Sequence, residues 1–282
     1  MKDISLKDQE HNLKLVSKKH FNHRSTFKIQ GTEVGKDLLT IAGPCRVESR
    51  DQVFKIASHL KSLGVNFFRA GAFKPCTFPN ANTGLGNEGL DILQEVKEGL
   101  KISIVTEAMS IDQVPDVAAV ADIIQVGARN MQNYNLLEKI ASFGLPVLLK
   151  RHPGASLRDF LGAAEWVMAN GSEKVILCER GVNSFATHDV NSRWLTDLTV
   201  VPAVRKYSHL PIIIDPSHAC GVREFVPSIS KASIASGADG TIIEVHYDPD
   251  NSVSDPLQAL DFKTFDTLYR DMNKIKEVLT DE

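Results

Sequence analysis

The chain has 282 residues, 43% hydrophobic and 24% charged, with a formal net charge of −3. That length suits one large domain with a sizeable core, and the near-balanced charge argues against nucleic acid or an anionic membrane as the main partner. No apolar run approaches the roughly 18 residues of a spanning helix. The N-terminal stretch MKDISLKDQEHNLK has no apolar core of a secretory signal, and the four cysteines show no CxxC spacing. A cytoplasmic protein with reduced thiols is the expectation.

Residues 1–37 read as an N-terminal extension, and its basic stretch, Lys14 to Arg24, as a solvated face. From 38 to 282 the pattern is regular: apolar β-rich runs alternate with amphipathic segments. Strands are predicted at 38–44, 66–71, 102–107, 123–127, 146–150, 174–179, 211–215 and 240–245. Helices are predicted near 51–63, 88–99, 111–120, 133–143, 157–170, 198–207, 225–236 and 261–279, with Ser49 and Ser156 as N-caps. Eight strands, each followed by a helix, is the count that closes an α/β (β/α)8 TIM barrel rather than an open sheet. Three βα loops are long: Lys74–Glu88, Gly181–Asp197 and Tyr247–Asp261. All three follow strands on one face, where long loops carry substrate contacts or act as lids.

Four candidate metal ligands fall at that face. LLTIAGPC ends in Cys45, PIIIDPSH in His218, GTIIEVH contains Glu244, and Asp255 lies in the loop beyond. Each has an ordinary reading: a small buried hydrophobe, a turn residue, a partner for a nearby cation, a helix cap. Their joint placement after strands 1, 7 and 8 is harder to explain that way, because strands 8 and 1 are neighbours in a closed barrel. A thiolate, an imidazole and two carboxylates suit a divalent Mn, Fe, Co or Zn ion.

A second set is cationic. Arg69 and Lys74 follow strand 2, Arg129 follows strand 4, Lys150 and Arg151 end strand 5, and Arg180 follows strand 6. Such a ring points to an anionic substrate. The alternative is a salt-bridge network with Glu107 and Glu179. The stretch Gly84–Gly89 matches GxGxxG, but it lies well past its strand and reads as a loop entering a helix, not a dinucleotide site.

These residues resemble the 3-deoxy-D-arabino-heptulosonate 7-phosphate (DAHP) synthase family, type I-beta branch, which overlaps the 3-deoxy-manno-octulosonate 8-phosphate synthases. AGPC (42–45), RAGAFKP (69–75), QVGARNMQN (125–133), LLKR (148–151), ILCERG (176–181), DPSH (215–218) and IEVH (243–246) carry the likeness, with SD at 254–255. It runs from about residue 13 to the C-terminus, and no added regulatory domain is expected. The resemblance implies condensation of phosphoenolpyruvate (PEP) with an aldose phosphate, most simply erythrose 4-phosphate, in the first step of the shikimate pathway. It implies a divalent metal on Cys45, His218, Glu244 and Asp255. Arg69, Lys74, Arg129, Lys150 and Arg180 would hold PEP, with Thr77 of the adjoining loop also contacting substrate. Lys74, Lys150 and His218 are the catalytic candidates, and a homodimer or homotetramer is implied.

Three departures cluster on the aldose side. The family loop reads Lys-Pro-Arg-Thr-Ser, whereas here Lys74-Pro75-Cys76-Thr77-Phe78 removes the arginine. Each charge-assisted hydrogen bond lost is worth roughly 1.5–3 kcal/mol. His152-Pro153 stands where a glycine is usual, and Asn183-Ser184-Phe185 where Arg-Thr-Phe is. A changed aldehyde partner follows from this pattern, with Arg151 or Arg193 as possible substitutes for the lost cation. A catalytically weak metabolite-binding paralogue and a class II aldolase-like barrel are the competing readings.

Overall fold

A computed structural model describes residues 12–74, 84–186 and 188–280. Eight parallel strands close into a barrel: β3 (Leu39–Gly43), β4 (Phe67–Arg69), β5 (Ser103–Glu107), β6 (Ile123–Val126), β7 (Val147–Lys150), β8 (Val175–Glu179), β9 (Ile212–Ile214) and β10 (Gly240–Glu244). Pairing of β10 with β3, with Ile242 opposite Ile41 and Glu244 opposite Gly43, completes the circle. All eight match the predicted strands.

The helices between them bury one stripe each. In α1 (Arg50–Ser62) the buried Val53, Ile56, Ala57 and Leu60 recur at helical spacing, and Ser49 accepts the Gln52 N–H as N-cap. α2 (Asn87–Leu100) begins within the GxGxxG-like stretch, with Gly86 at its N-cap and φ near +60°. α3 (Val114–Val120), α4 (Tyr134–Ala141) and α5 (Leu157–Ala169) follow, the last started by a capping box between Ser156 and Asp159. α6 (Val200–Tyr207), α8 (Val226–Ala235) and α9 (Phe262–Thr280) complete the ring. The one-turn α7 (Pro216–Cys220) was not expected. Pro216 sits at its first position and Asp215 caps it by accepting the His218 N–H.

The extension is less solvated than its charges suggest. Leu13 and Val16 are buried, and the Glu165 carboxylate accepts the backbone N–H groups of Lys14, Leu15 and Val16 at 2.9–3.0 Å. Arg24 pairs with the buried Asp239. Two short strands missed in the sequence, β1 (Phe27–Ile29) and β2 (Thr32–Val34), form an antiparallel hairpin. Its Ile29 and Val34 join the barrel-interior cluster of Leu39, Ile41, Phe67 and Ile242, covering the N-terminal end of the strands.

Side chains alternate in and out along each strand with period two. Phe67, Val105, Ile123, Leu148, Cys178, Ile213 and Ile242 fill the interior. Two residues further on in the same strands or just past their ends come Arg69, Glu107, Gln125, Lys150, Arg180, Asp215 and Glu244. One periodicity therefore builds the apolar plug and aims a polar ring into the cavity above it.

Candidate active site

The ring opens into a cavity of about 700 Å³, lined among others by Cys45, Arg69, Lys74, Arg129, Lys150, Arg180, His218 and Asp255. Glu244 lies beneath, fully buried. Cys45, His218, Glu244 and Asp255 each offer a ligand atom, and these atoms lie within 4.8 Å of one another. The Cys45 thiol donates to Asp255 Oδ2 at 3.0 Å, and His218 Nε2 lies 3.3 Å from Glu244 Oε1.

Each donor is held by its surroundings. His218 Nδ1 lies 2.8 Å from Asp215 Oδ2, which turns Nε2 toward the other three donors. Burial lowers the His218 pKa, outweighing the pull of Asp215 and Glu244. Burial would raise the Glu244 carboxyl, but His218 and Arg69 hold it below its usual value. Arg69 Nη2 donates to Glu244 Oε1 at 3.0 Å. Asp255 sits at positive φ (52°), uncommon for a residue with a side chain, and its carboxylate faces Lys74 Nζ at 2.7 Å. Against a desolvation penalty, Lys74 keeps that carboxyl far below its ordinary value. The Cys45 thiol is pushed well up, first by burial and then by Glu244. The donor set thus has the hard and soft character of a divalent transition-metal site.

The cations split into two groups. Lys150 Nζ donates to the buried Asp215 Oδ2 at 2.6 Å, Lys74 also reaches Cys45 Sγ at 3.1 Å and bonds Ser254, and Arg69 reaches the Cys45 carbonyl at 3.3 Å. Arg180 is buried and makes no ion pair or hydrogen bond with a described residue, lying only over the Trp194 ring. A buried cation on a cavity wall, drawn by Asp215 but salt-bridged to none of the described residues, suits an anionic ligand. Arg151 behaves differently. It donates to Glu179 at 3.0 Å, to Asp197 at 2.8 Å and to the Ala155 carbonyl, outside the cavity, as the salt-bridge alternative anticipated for Glu179. Glu107 does line the cavity. It accepts from Gln125 Nε2 at 2.7 Å, and burial raises its carboxyl against the pull of Lys150.

Thr77, Cys76 and the rest of the 75–83 loop lie outside the described residues. Cys45, Cys178 and Cys220 are free thiols. Sequence reasoning missed Asp215. The available signal was an acid three residues before His218, at helical N-cap spacing.

Residues 16–281 match the DAHP synthetase I family. The chain belongs to the DAHP synthetase I family. It is 43% identical to the phospho-2-dehydro-3-deoxyheptonate aldolase of Thermotoga maritima, over 94% of this chain and 78% of that protein. A 2-dehydro-3-deoxyphosphooctonate aldolase of Azoarcus sp. is 30% identical, over 88% and 95% of the two chains. The crystal structure of the Thermotoga maritima DAHP synthase superposes with a TM-score of 0.89 at 42% identity, covering 94% of this chain and 76% of that one. A truncated form of the Thermotoga enzyme gives 0.88 at 40% identity, covering 95% and 97%. Membership of the DAHP synthetase I family makes the chain a transferase-type barrel enzyme. No helix among the described residues is long and apolar enough to cross a membrane.

Proposed function

We propose that the cavity condenses PEP with an aldose phosphate, erythrose 4-phosphate being the first candidate, using a divalent metal held by Cys45, His218, Glu244 and Asp255. In the balanced reaction PEP C3 bonds to the aldehyde carbon, a water oxygen adds to PEP C2, and inorganic phosphate leaves C2. The observation that carries this reading is Arg180, a buried guanidinium that forms no ion pair with a described residue and faces the cavity lined by Cys45, His218 and Asp255, with Glu244 beneath.

When bound, the metal would polarise the aldehyde carbonyl as a Lewis acid. Arg180, Lys150 and Arg69 surround the space that suits PEP's phosphate and carboxylate, offsetting their charge as it shifts during water attack. Arg129 extends the same wall. Lys150 Nζ, fixed by Asp215, is placed to deliver a proton as the C–C bond forms. Glu107, poised by its burial, orients the attacking water. Lys74 fixes Asp255 and reaches Cys45, ordering the donor set and acting beside it.

PEP consumption by protein loaded with Mn²⁺, compared across erythrose 4-phosphate and arabinose 5-phosphate, tests the reading. Turnover that EDTA abolishes and Mn²⁺ restores is expected. PEP binding without turnover on any aldose phosphate would favour a metabolite-binding role instead.

A further inference from the structure

Cys76 replaces the family's loop arginine, and Arg151 and Arg193 are the two candidates to supply the missing charge. Arg151 is committed to Glu179, Asp197 and the Ala155 carbonyl. Arg193, from the loop Gly181–Asp197, lines the cavity.

Its position is built rather than incidental. The Arg193 N–H donates to the Cys220 carbonyl at 3.2 Å and the Trp194 N–H to Ala219 at 2.9 Å, so this stretch is tied to the helix that carries His218. Val182 and Leu195 exchange a reciprocal backbone pair that closes the loop's base. The Arg193 stem crosses Gly221, at φ +72°, where a Cβ would lie 2.4 Å from Arg193 Cγ. Only glycine leaves that path open.

The guanidinium comes to rest 2.9 Å from Gln258 Oε1 and 3.5 Å from Asp255 Oδ1, with 37% of the side chain exposed. Gln258 in turn donates to Glu244 at 2.8 Å, so Arg193 is braced by the donor set while its outer edge meets the cavity mouth. Arg180 is its cationic neighbour: burial first, then Arg193, press the Arg180 guanidinium below its ordinary value against the pull of Asp215. Two like charges on one cavity wall favour an anion between or above them. His152 and Asn183, the other two departures from the family pattern, line the same cavity. Their loops are joined where the Asn183 N–H donates to the Pro153 carbonyl at 3.0 Å.

We propose that Arg193 is the specificity-determining residue for the aldehyde partner, gripping the phosphate at the tail of the aldose, with His152 and Asn183 contacting its hydroxyls. The assignment rests on the PEP-condensing reading of the cavity. It relocates the anion grip from the loop after β4 to the loop after β8, beside Asp255, and so changes which aldose lengths can reach the donor set.

The test uses unreactive probes. Erythritol 4-phosphate and arabinitol 5-phosphate keep the phosphate and hydroxyls but lack the aldehyde, and are titrated calorimetrically into protein loaded with Mn²⁺ and PEP. At least one phosphate is expected to bind tenfold or more tightly than its unphosphorylated polyol. Arg193→Ala should weaken that phosphate about 10- to 100-fold, the effect of losing charge-assisted hydrogen bonds. Arg193→Lys should recover part of the loss, while PEP affinity and manganese content stay as in the wild type. Equal binding by Arg193→Ala, no preference for the phosphorylated probes, or loss of manganese from the variant overturns the proposal. Failure of the wild-type protein to bind PEP would instead overturn the condensing reading beneath it.

Discussion

Asp215 holds His218 at two points: its Oδ1 accepts the His218 backbone N–H at 3.0 Å, and its Oδ2 lies 2.8 Å from the imidazole Nδ1. The same Oδ2 accepts from Lys150 at 2.6 Å. One buried carboxylate therefore caps the helix, sets the imidazole's orientation and anchors a cavity-facing cation. His218 and Lys150 keep Asp215 ionised against a strong desolvation penalty.

Asp215→Asn should keep the cap but lose the charge that orients the ring. Manganese affinity is expected to fall about 10- to 100-fold, the range for removing the partner of a ligating histidine. Competition against a fluorescent chelator measures it. Unchanged affinity would mean that Asp215 serves only the helix.

Arg69 and Glu244 form a pair with 4% and 0% side-chain exposure. Arg69→Met would leave Glu244 without its guanidinium partner in a dry site. Breaking one partner of a buried pair costs about 3–5 kcal/mol. Urea unfolding of metal-free protein should show that loss, and PEP binding should weaken with it. A loss below about 1 kcal/mol would show that His218 and Gln258 together compensate Glu244.

His209 supplies a pH dependence far from the cavity. Its Nε2 meets the Leu15 carbonyl at 2.6 Å and its Nδ1 meets Ser25 Oγ at 2.7 Å, pinning the N-terminal segment. Burial lowers its pKa below 6.5; the Leu15 carbonyl and Glu165 oppose this, and His23 adds to it. The folded state then binds fewer protons than the unfolded chain below that pH. The stability that neutral His209 provides is complete above 6.5 and is lost as pH falls through the folded value. The drop in urea midpoint between pH 7.5 and 5.5 should shrink in His209→Gln. An identical drop in both proteins would assign it to other groups.

Ser156→Ala removes half of a reciprocal capping box, in which Ser156 Oγ accepts the Asp159 N–H at 3.2 Å. A stability loss of about 1 kcal/mol is expected, with PEP turnover unaffected because the box lies outside the cavity. Altered turnover would show that α5 transmits strain to Lys150.

Hydrophobic periodicity is a local property, and the elements that depend on it were legible in the sequence. The β-rich runs from Leu39 to Glu244 announced eight strands, and Ser49 and Ser156 marked two helix starts that the structure keeps. The donors Cys45, His218, Glu244 and Asp255 could be grouped because closure of the barrel brings strand ends together whatever the loops do. The β1–β2 hairpin escaped notice because each strand has only three residues, too short for a pattern.

Side-chain partnerships belong to the tertiary structure alone. Arg151 and Arg180 read alike in sequence, yet one is held by Glu179 and Asp197 while the other faces the cavity with no salt bridge to a described residue. The extension looked solvated until Glu165 took up its backbone N–H groups and Asp239 paired with Arg24, both partners remote in the chain. Arg193 reaches Asp255 because its loop is stitched to Ala219 and Cys220 and passes over Gly221. Inward-facing positions follow from the two-residue period of a strand, and strand order from the succession of βα units along the sequence. Which charge meets which depends on loop path and burial, quantities that exist only once the barrel has closed.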